Sequence, residues 1–237
     1  MKNIKEFYIL GLPIETEIGE CHFLKVKEYP DYFMDLQVMS LTKDHLINKY
    51  SEINKDGTLT EFIKEISKRE LFELAVSIPE LQESYFRLFT KVFGNEEFIS
   101  EITAENFNFY RKLIMDMNFV KEEKINPNPE IQRAIERSKR VKAADSEPME
   151  FVDVVSSVAV GSGLSFQHLN DYTIFQLYMT FYRIAQIKNF ETTTLFSTVS
   201  DKVKIDNWSK HIDLYAEEKH FISQDEFKKD TGSLFNE

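Results

Sequence analysis

Between Pro79 and Gly94 the apolar residues stand at Leu81, Tyr85, Leu88 and Val92, with Phe86, Phe89 and Phe93 as a second stripe beside them. Spacings of three and four are helical and do not suit the two-residue repeat of a strand. Pro79 falls in the first turn, where a missing N–H costs nothing, and Gly94 falls where a left-handed helix cap is expected. The same period returns along most of the chain. Phe33 and Leu36 begin it, and Leu46, Ile47, Tyr50 and Ile53 continue it. Phe62, Ile63 and Ile66 form a short stripe after the turn Lys55-Asp56-Gly57, and Leu71, Phe72, Ala75 and Val76 form another. Phe107, Tyr110, Leu113, Ile114 and Met117 share one face behind Thr103, a candidate cap. Only 7 glycines and 6 prolines punctuate the 237 residues, which argues against a loop-rich sandwich or barrel. The expected fold class is mainly α: a multi-helix domain or domains with a small N-terminal β-hairpin.

The hairpin is read from two alternating runs. Phe7 to Leu10 is the first, broken by Gly11-Leu12-Pro13, and Glu20 to Val26 is the second. The strongest break in the chain is Asn126-Pro127-Asn128-Pro129, where two X-Pro steps keep the backbone extended. It divides a hairpin-plus-helical domain, residues 1–125, from a C-terminal helical subdomain, 126–212. An acidic tail, 213–237, follows with seven acids against three bases. Phe151 to Val160 is apolar and β-branched, so helix and strand compete there. Phe151, Val154, Val155 and Val158 at helical spacing favour helix, ended by Gly161-Ser162-Gly163. The helix best marked in sequence runs from about Asn170 to about Asn189. Asn170 or Asp171 is a possible cap, and Thr173-x-x-Gln176 is a competing capping box.

Charge and composition exclude several functions. Twenty-nine bases against 40 acids give a net charge of −11, a poor basis for general nucleic-acid binding. The N-terminus lacks the apolar core of a signal peptide, and no uncharged apolar stretch reaches about 18 residues, so no membrane span is expected. One cysteine, Cys21, allows neither a disulfide framework nor a multi-cysteine zinc site.

Candidate chemistry is thin. Glu52 to Ile63 aligns as a calcium loop, with Gly57 at the turn and Asn54 and Asp56 as ligands. Glu52 stands at position one and Ile63 where the bidentate Glu is needed. His22, His45, His168, His211 and His220 form no helical metal pair with a carboxylate. Gly161-Ser162-Gly163-Leu164-Ser165 lacks the Gly-Lys-Ser/Thr of a phosphate loop. No catalytic residue, metal ligand or cofactor site is assigned. Three surfaces remain as partner-binding candidates. One is Phe175, Met179 and Tyr182, on a helix whose apolar arc is wide enough either for a packed core or for a core and a partner. The second is Phe86, Phe89 and Phe93, where the same alternatives stand. The third is the basic face of the helix after Asn128, with Arg133, Arg137 and Arg140: a solvated face, or a dock for an acidic surface.

The segment His168-Leu-Asn-Asp-Tyr-Thr-Ile-Phe-Gln-Leu-Tyr-Met-Thr-Phe-Tyr-Arg183, followed by Asp206-Asn-Trp208, resembles a pattern in tail proteins of phages that infect Gram-positive bacteria. Tyr8 to Gly19 and Glu28-Tyr-Pro-Asp-Tyr32 are similar to the same group. The family resembled is the tail assembly chaperones of long-tailed phages. The resemblance implies an acidic, helical, non-catalytic protein of the host cytoplasm. It implies a homo-oligomer that coats the tape measure protein and helps recruit tail tube protein, with no nucleic-acid or membrane partner. The hairpin-like start departs from the family picture. Two alternatives stand beside this one: a structural tail or baseplate component retained in the virion, and an enzyme built on the Glu52–Ile63 or Gly161–Ser165 loops.

Overall fold

A computed structural model describes residues 4–122, 125–126, 129–145, 149–200 and 205–215. Its first element already differs from expectation. Ile4–Leu10 is a helix, α1, and not a strand. An alternating run of four residues cannot be told from a single helical turn, and tertiary contact decides it. Gly11 closes α1 in the left-handed conformation (φ 65°). Its N–H donates to the Tyr8 carbonyl at 3.2 Å and the Leu12 N–H to the Phe7 carbonyl at 3.0 Å, a helix-ending pair that uses two otherwise free carbonyls.

The hairpin lies further on and is shorter than expected. Strands β1 (Ile14–Thr16) and β2 (Gly19–Cys21) pair antiparallel with Ile14 opposite Cys21 and Thr16 opposite Gly19. Beyond Cys21 the chain stays extended but leaves the ladder, and a 3-10 turn, Val26–Glu28, ends it. Residues 22–26 instead run as a strap between helices. His22 N–H donates to the Val92 carbonyl at 2.7 Å, Val26 N–H to Tyr172 at 2.8 Å, and Ile174 N–H to Leu24 at 3.1 Å. Leu24 is fully buried beneath it.

Helices α2 (Tyr29–Ser40), α3 (Lys43–Ile53), α4 (Thr60–Lys68), α5 (Leu71–Ser77) and α6 (Pro79–Phe93) follow. After these come the short α7 (Phe98–Glu101), α8 (Phe107–Met117), α9 (Pro129–Asp145), α10 (Phe151–Ser162), the single turn α11 (Phe166–Leu169), and α12 (Ile174–Ser197). The fold is mainly α with one small N-terminal hairpin, as the periodicity requires. Gly94 and Gly163 cap α6 and α10 with φ of 74° and 73°. Thr173 wins the capping competition at α12. Its hydroxyl accepts from the Gln176 N–H at 3.1 Å, and the Gln176 side chain accepts from the Thr173 N–H at 2.9 Å. The helix therefore begins four residues later than Asn170 and continues past Asn189 to Ser197.

Helix α6 lies against α2 and α5, α2 also meets α8, and α12 packs on α10 and α1. The buried residues form one continuous cluster from Tyr8 to Leu214, so Leu24 and Val26 share a core with Val158, Ile174 and Leu177. Arg111 is one of two buried charged residues among the described residues, Asp35 being the other. Its guanidinium donates to the carbonyls of Met39 (2.9 Å) and Leu41 (3.1 Å) and to the Tyr85 hydroxyl (3.0 Å), and it pairs with Glu122. It thereby satisfies carbonyls at the end of α2 that the helix itself leaves free, and it ties that end to α8.

Of the acidic tail, only Asp213 to Tyr215 are described; residues 216–237 lie outside the described residues, as do Pro127 and Asn128 of the expected break.

Candidate functional site

Tyr8 determines how α1 sits. Its ring is held edge-on between Phe23 (centroids 5.3 Å, 84°) and Phe175 (5.2 Å, 81°), an arrangement that aligns ring edges with ring faces. Burying Tyr8 leaves Ile4 and Ile9 on the open side of the helix, 47% and 44% exposed. Facing them, α8 buries Tyr110 and Leu113 and presents Phe109, 62% exposed. Phe175 forms the floor, and Met179 and Ile184 of α12 continue the wall.

The fourth side is residues 205–215. Arg183 donates to the carbonyls of Trp208 (2.8 Å) and Lys210 (3.1 Å), and Gln186 to that of Asn207 (3.1 Å). Leu214 is buried, and the Tyr215 hydroxyl donates to the Asp116 carbonyl at 2.6 Å. Together these walls enclose an open groove of about 1540 Å³. Its interior is apolar, and its rim carries Glu15, Glu17, Glu105, Asp116 and Asp213 against Lys5, Lys112 and Arg183.

Three titratable groups of the groove, Asp116, Tyr8 and Tyr215, are biased towards their neutral forms. Burial raises Asp116 above the ordinary carboxylate range, against the opposing pull of Lys112. Burial, helped by Asp116, keeps the phenols of Tyr8 and Tyr215 protonated. Among the described residues no group of three or more His, Cys, Asp or Glu side chains converges as a metal site. In the Glu52–Ile63 loop the candidate ligands serve their own turn. Asn54 Oδ1 accepts from the Leu59 N–H at 2.8 Å, and Asp56 Oδ1 from the Thr58 hydroxyl at 2.7 Å. That hydroxyl and the Thr58 N–H hold the Asp56 carboxyl below its usual range. His45 and His168 are bonded to the hydroxyls of Thr42 and Ser165.

The sequence-derived surfaces are split by the fold. Phe175 and Met179 line the groove, with Phe175 buried at its floor. Tyr182 is not in the lining and stands against Phe119 (5.9 Å, 67°), 38% exposed. Phe89 and Phe93 are buried around Phe98, the core alternative for those two rings, while Phe86 stays 40% exposed. Arg133 and Arg137 are exposed on α9, and the side chain of Arg140 lies outside the described residues. The walls that sequence reasoning missed are Ile4, Ile9, Phe109 and Ile184. A helical reading of the first ten residues was the signal available for two of them.

A family model described as the YomV N-terminal domain matches residues 2–127, and one described as the YomV second domain matches residues 140–213. The SPbeta prophage-derived protein YomV of Bacillus subtilis (strain 168) is 43% identical over 229 residues, spanning 96% of this chain and 97% of its own length. No solved structure matches the chain. Among the described residues no helix is long and apolar enough to cross a membrane.

Proposed function

The chain belongs to the YomV family and is of phage origin, and from that footing we propose that it is a non-catalytic tail assembly chaperone working in the host cytoplasm. Its groove takes an amphipathic helix of the tape measure protein. The observation that carries this reading is the groove itself. At about 1540 Å³ it exceeds the ~300–1,000 Å³ of ordinary small-molecule sites. A helix about 11 Å across and three turns long displaces on the order of 1,500 Å³, which matches. Apolar walls with a mixed polar rim are what helix-in-groove recognition needs. The acidic surplus of the rim and of the whole chain favours a client helix with basic flanks.

Coexpression with a tape measure segment tests this. Ile9→Asp and Phe109→Asp place charge on exposed groove walls and are expected to abolish copurification while melting stays unchanged. Copurification equal to the wild type rejects the surface. Phe175→Asp is unsuitable, because it buries a charge in the core. Self-association and recruitment of tail tube protein belong to the same reading. The second half of α12 offers Leu195 and Phe196, 68% and 56% exposed, for such contacts. A chaperone is absent from finished particles. Detection of the chain in purified virions by mass spectrometry would favour a retained tail component.

A further inference from the structure

Helix α9 carries an apolar stripe that its own chain leaves largely in water. Ile131, Ala134, Ile135, Ser138 and Val141 fall within an arc of about 120° on the helix. Ala134 and Ser138 are exposed, and so are the two ends of the stripe, Ile131 at 44% and Val141 at 57%; Ile135 is half-buried. The helix is basic, with five bases against three acids between Pro129 and Asp145, in a chain whose net charge is −11. From Ile131 to Val141 the stripe runs about 15 Å, or roughly three helical turns, the length of helix that the groove volume fits. Among the described residues none of α9 lines that groove, so helix and groove are separate surfaces of one chain.

We propose that α9 of a second copy of this chain docks in the groove, with the Ile131–Val141 stripe against Ile9, Phe109 and Ile184. Charge selects this occupant as well as size. Arg133 and Arg137 are exposed on the helix, and Glu15, Glu17 and Glu105 are exposed on the rim of the groove. Arginines facing carboxylates across the contact steer the encounter and fix its orientation. Each surface by itself leaves apolar area in water, and one contact covers both. Donor helix and acceptor groove are different patches, so the contact is heterologous, and one intact contact can be rebuilt from two differently damaged copies. The contact stands on these two surfaces. Its consequence, that a second copy competes with a client helix for the groove, rests on the client-binding reading above.

Sedimentation of the full chain tests this without a client. The weight-average mass of the wild type is expected to rise above that of a monomer between about 1 and 100 µM. Ile131→Asp with Val141→Asp spoils the donor helix, and Ile9→Asp with Phe109→Asp spoils the acceptor groove; each variant alone is expected to stay monomeric. An equimolar mixture of the two holds one intact helix and one intact groove, and is expected to form a one-to-one dimer and nothing larger. Melting curves identify any variant that fails to fold. The exposed charge reversals Arg133→Glu with Arg137→Glu, and Glu15→Lys with Glu17→Lys, then carry the same design, each weakening association about tenfold and recovering it on mixing. A wild type that stays monomeric throughout overturns the proposal, as do folded variants that associate like the wild type or a mixture that stays monomeric. Tape measure copurification separates this contact from the client reading. If the mixture dimerises and no client is captured, the client falls and the self-contact stands; if a monomeric wild type captures client, the reverse holds.

Discussion

Replacing Arg111 by methionine removes a charge from the core without emptying the space it fills. The guanidinium is 6% exposed and makes three neutral hydrogen bonds as well as its pair with Glu122. Methionine restores the packing of the stem but leaves the Met39 and Leu41 carbonyls and the Tyr85 hydroxyl to find other partners. Each buried acceptor so stranded costs about 1–3 kcal/mol. Leu41 and Glu122 keep partial access to water and recover part of the loss. A total near 4 kcal/mol results, within the ~3–5 kcal/mol seen on breaking buried charged contacts. For a chain of this size that lowers Tm by about 8–16 °C. The assay is thermal unfolding followed by far-UV circular dichroism, with Arg111→Lys and Glu122→Gln alongside. Lysine keeps the charge but cannot span both carbonyls and Tyr85, so it is expected to recover about half of the loss. Glu122 is 40% exposed, and its substitution should cost about 1 kcal/mol or less. A fall in Tm of under about 3 °C for Arg111→Met would show that the end of α2 is held by something else. Because α8 also presents Phe109 to the groove, the same variant is expected to weaken client copurification at temperatures where it is still folded.

The remaining predictions concern packing and titration. A methyl group added at Gly161 would lie 2.8 Å from both Cγ2 and Cδ1 of Ile184, where α10 crosses α12. Gly161→Ala gains about 1 kcal/mol of helix propensity, loses about 1–3 kcal/mol to overpacking, and is expected to lower the urea midpoint. Gly161→Ala with Ile184→Val should recover only part of it, because valine removes Cδ1 but keeps the γ methyl at 2.8 Å. Cys21 is fully buried beside the Met117 sulfur (3.5 Å), and burial pushes its thiol up to about 12. Ellman's reagent is therefore expected to react only at the rate of unfolding, and prompt reaction in native buffer would contradict the packing. Asp116 has its folded pKa raised by burial, so its penalty is full above that pKa and disappears as pH falls below the unfolded value. Asp116→Asn is expected to raise Tm at pH 7, with the gain shrinking on acidification through the ordinary carboxylate range; a gain that grows in acid would reverse the sign.

Sequence alone determined the parts of this protein that depend on near neighbours. The apolar period of Leu81, Tyr85, Leu88 and Val92, the terminal Gly94 and Gly163, and the Thr173–Gln176 box each act within one or two turns, and all appear where their chemistry puts them. The Phe151–Val160 ambiguity was also settled locally, by spacing. Tertiary structure decided what local rules leave open. Seven residues at the N-terminus are too few to show a period, and α1 exists because Tyr8 finds Phe23 and Phe175. Phe86, Phe89 and Phe93 look alike in sequence, and Phe98 meets all three rings, yet Phe89 and Phe93 are buried while Phe86 stays 40% exposed. The groove is the extreme case. Its walls come from Ile4, Phe109, Met179 and Leu214, residues that share no local pattern, and it exists only because a continuous core brings four distant segments to one edge. Periodicity marks which residues leave water; which of them meet, and which still face outward, is decided by contacts between residues far apart in the chain.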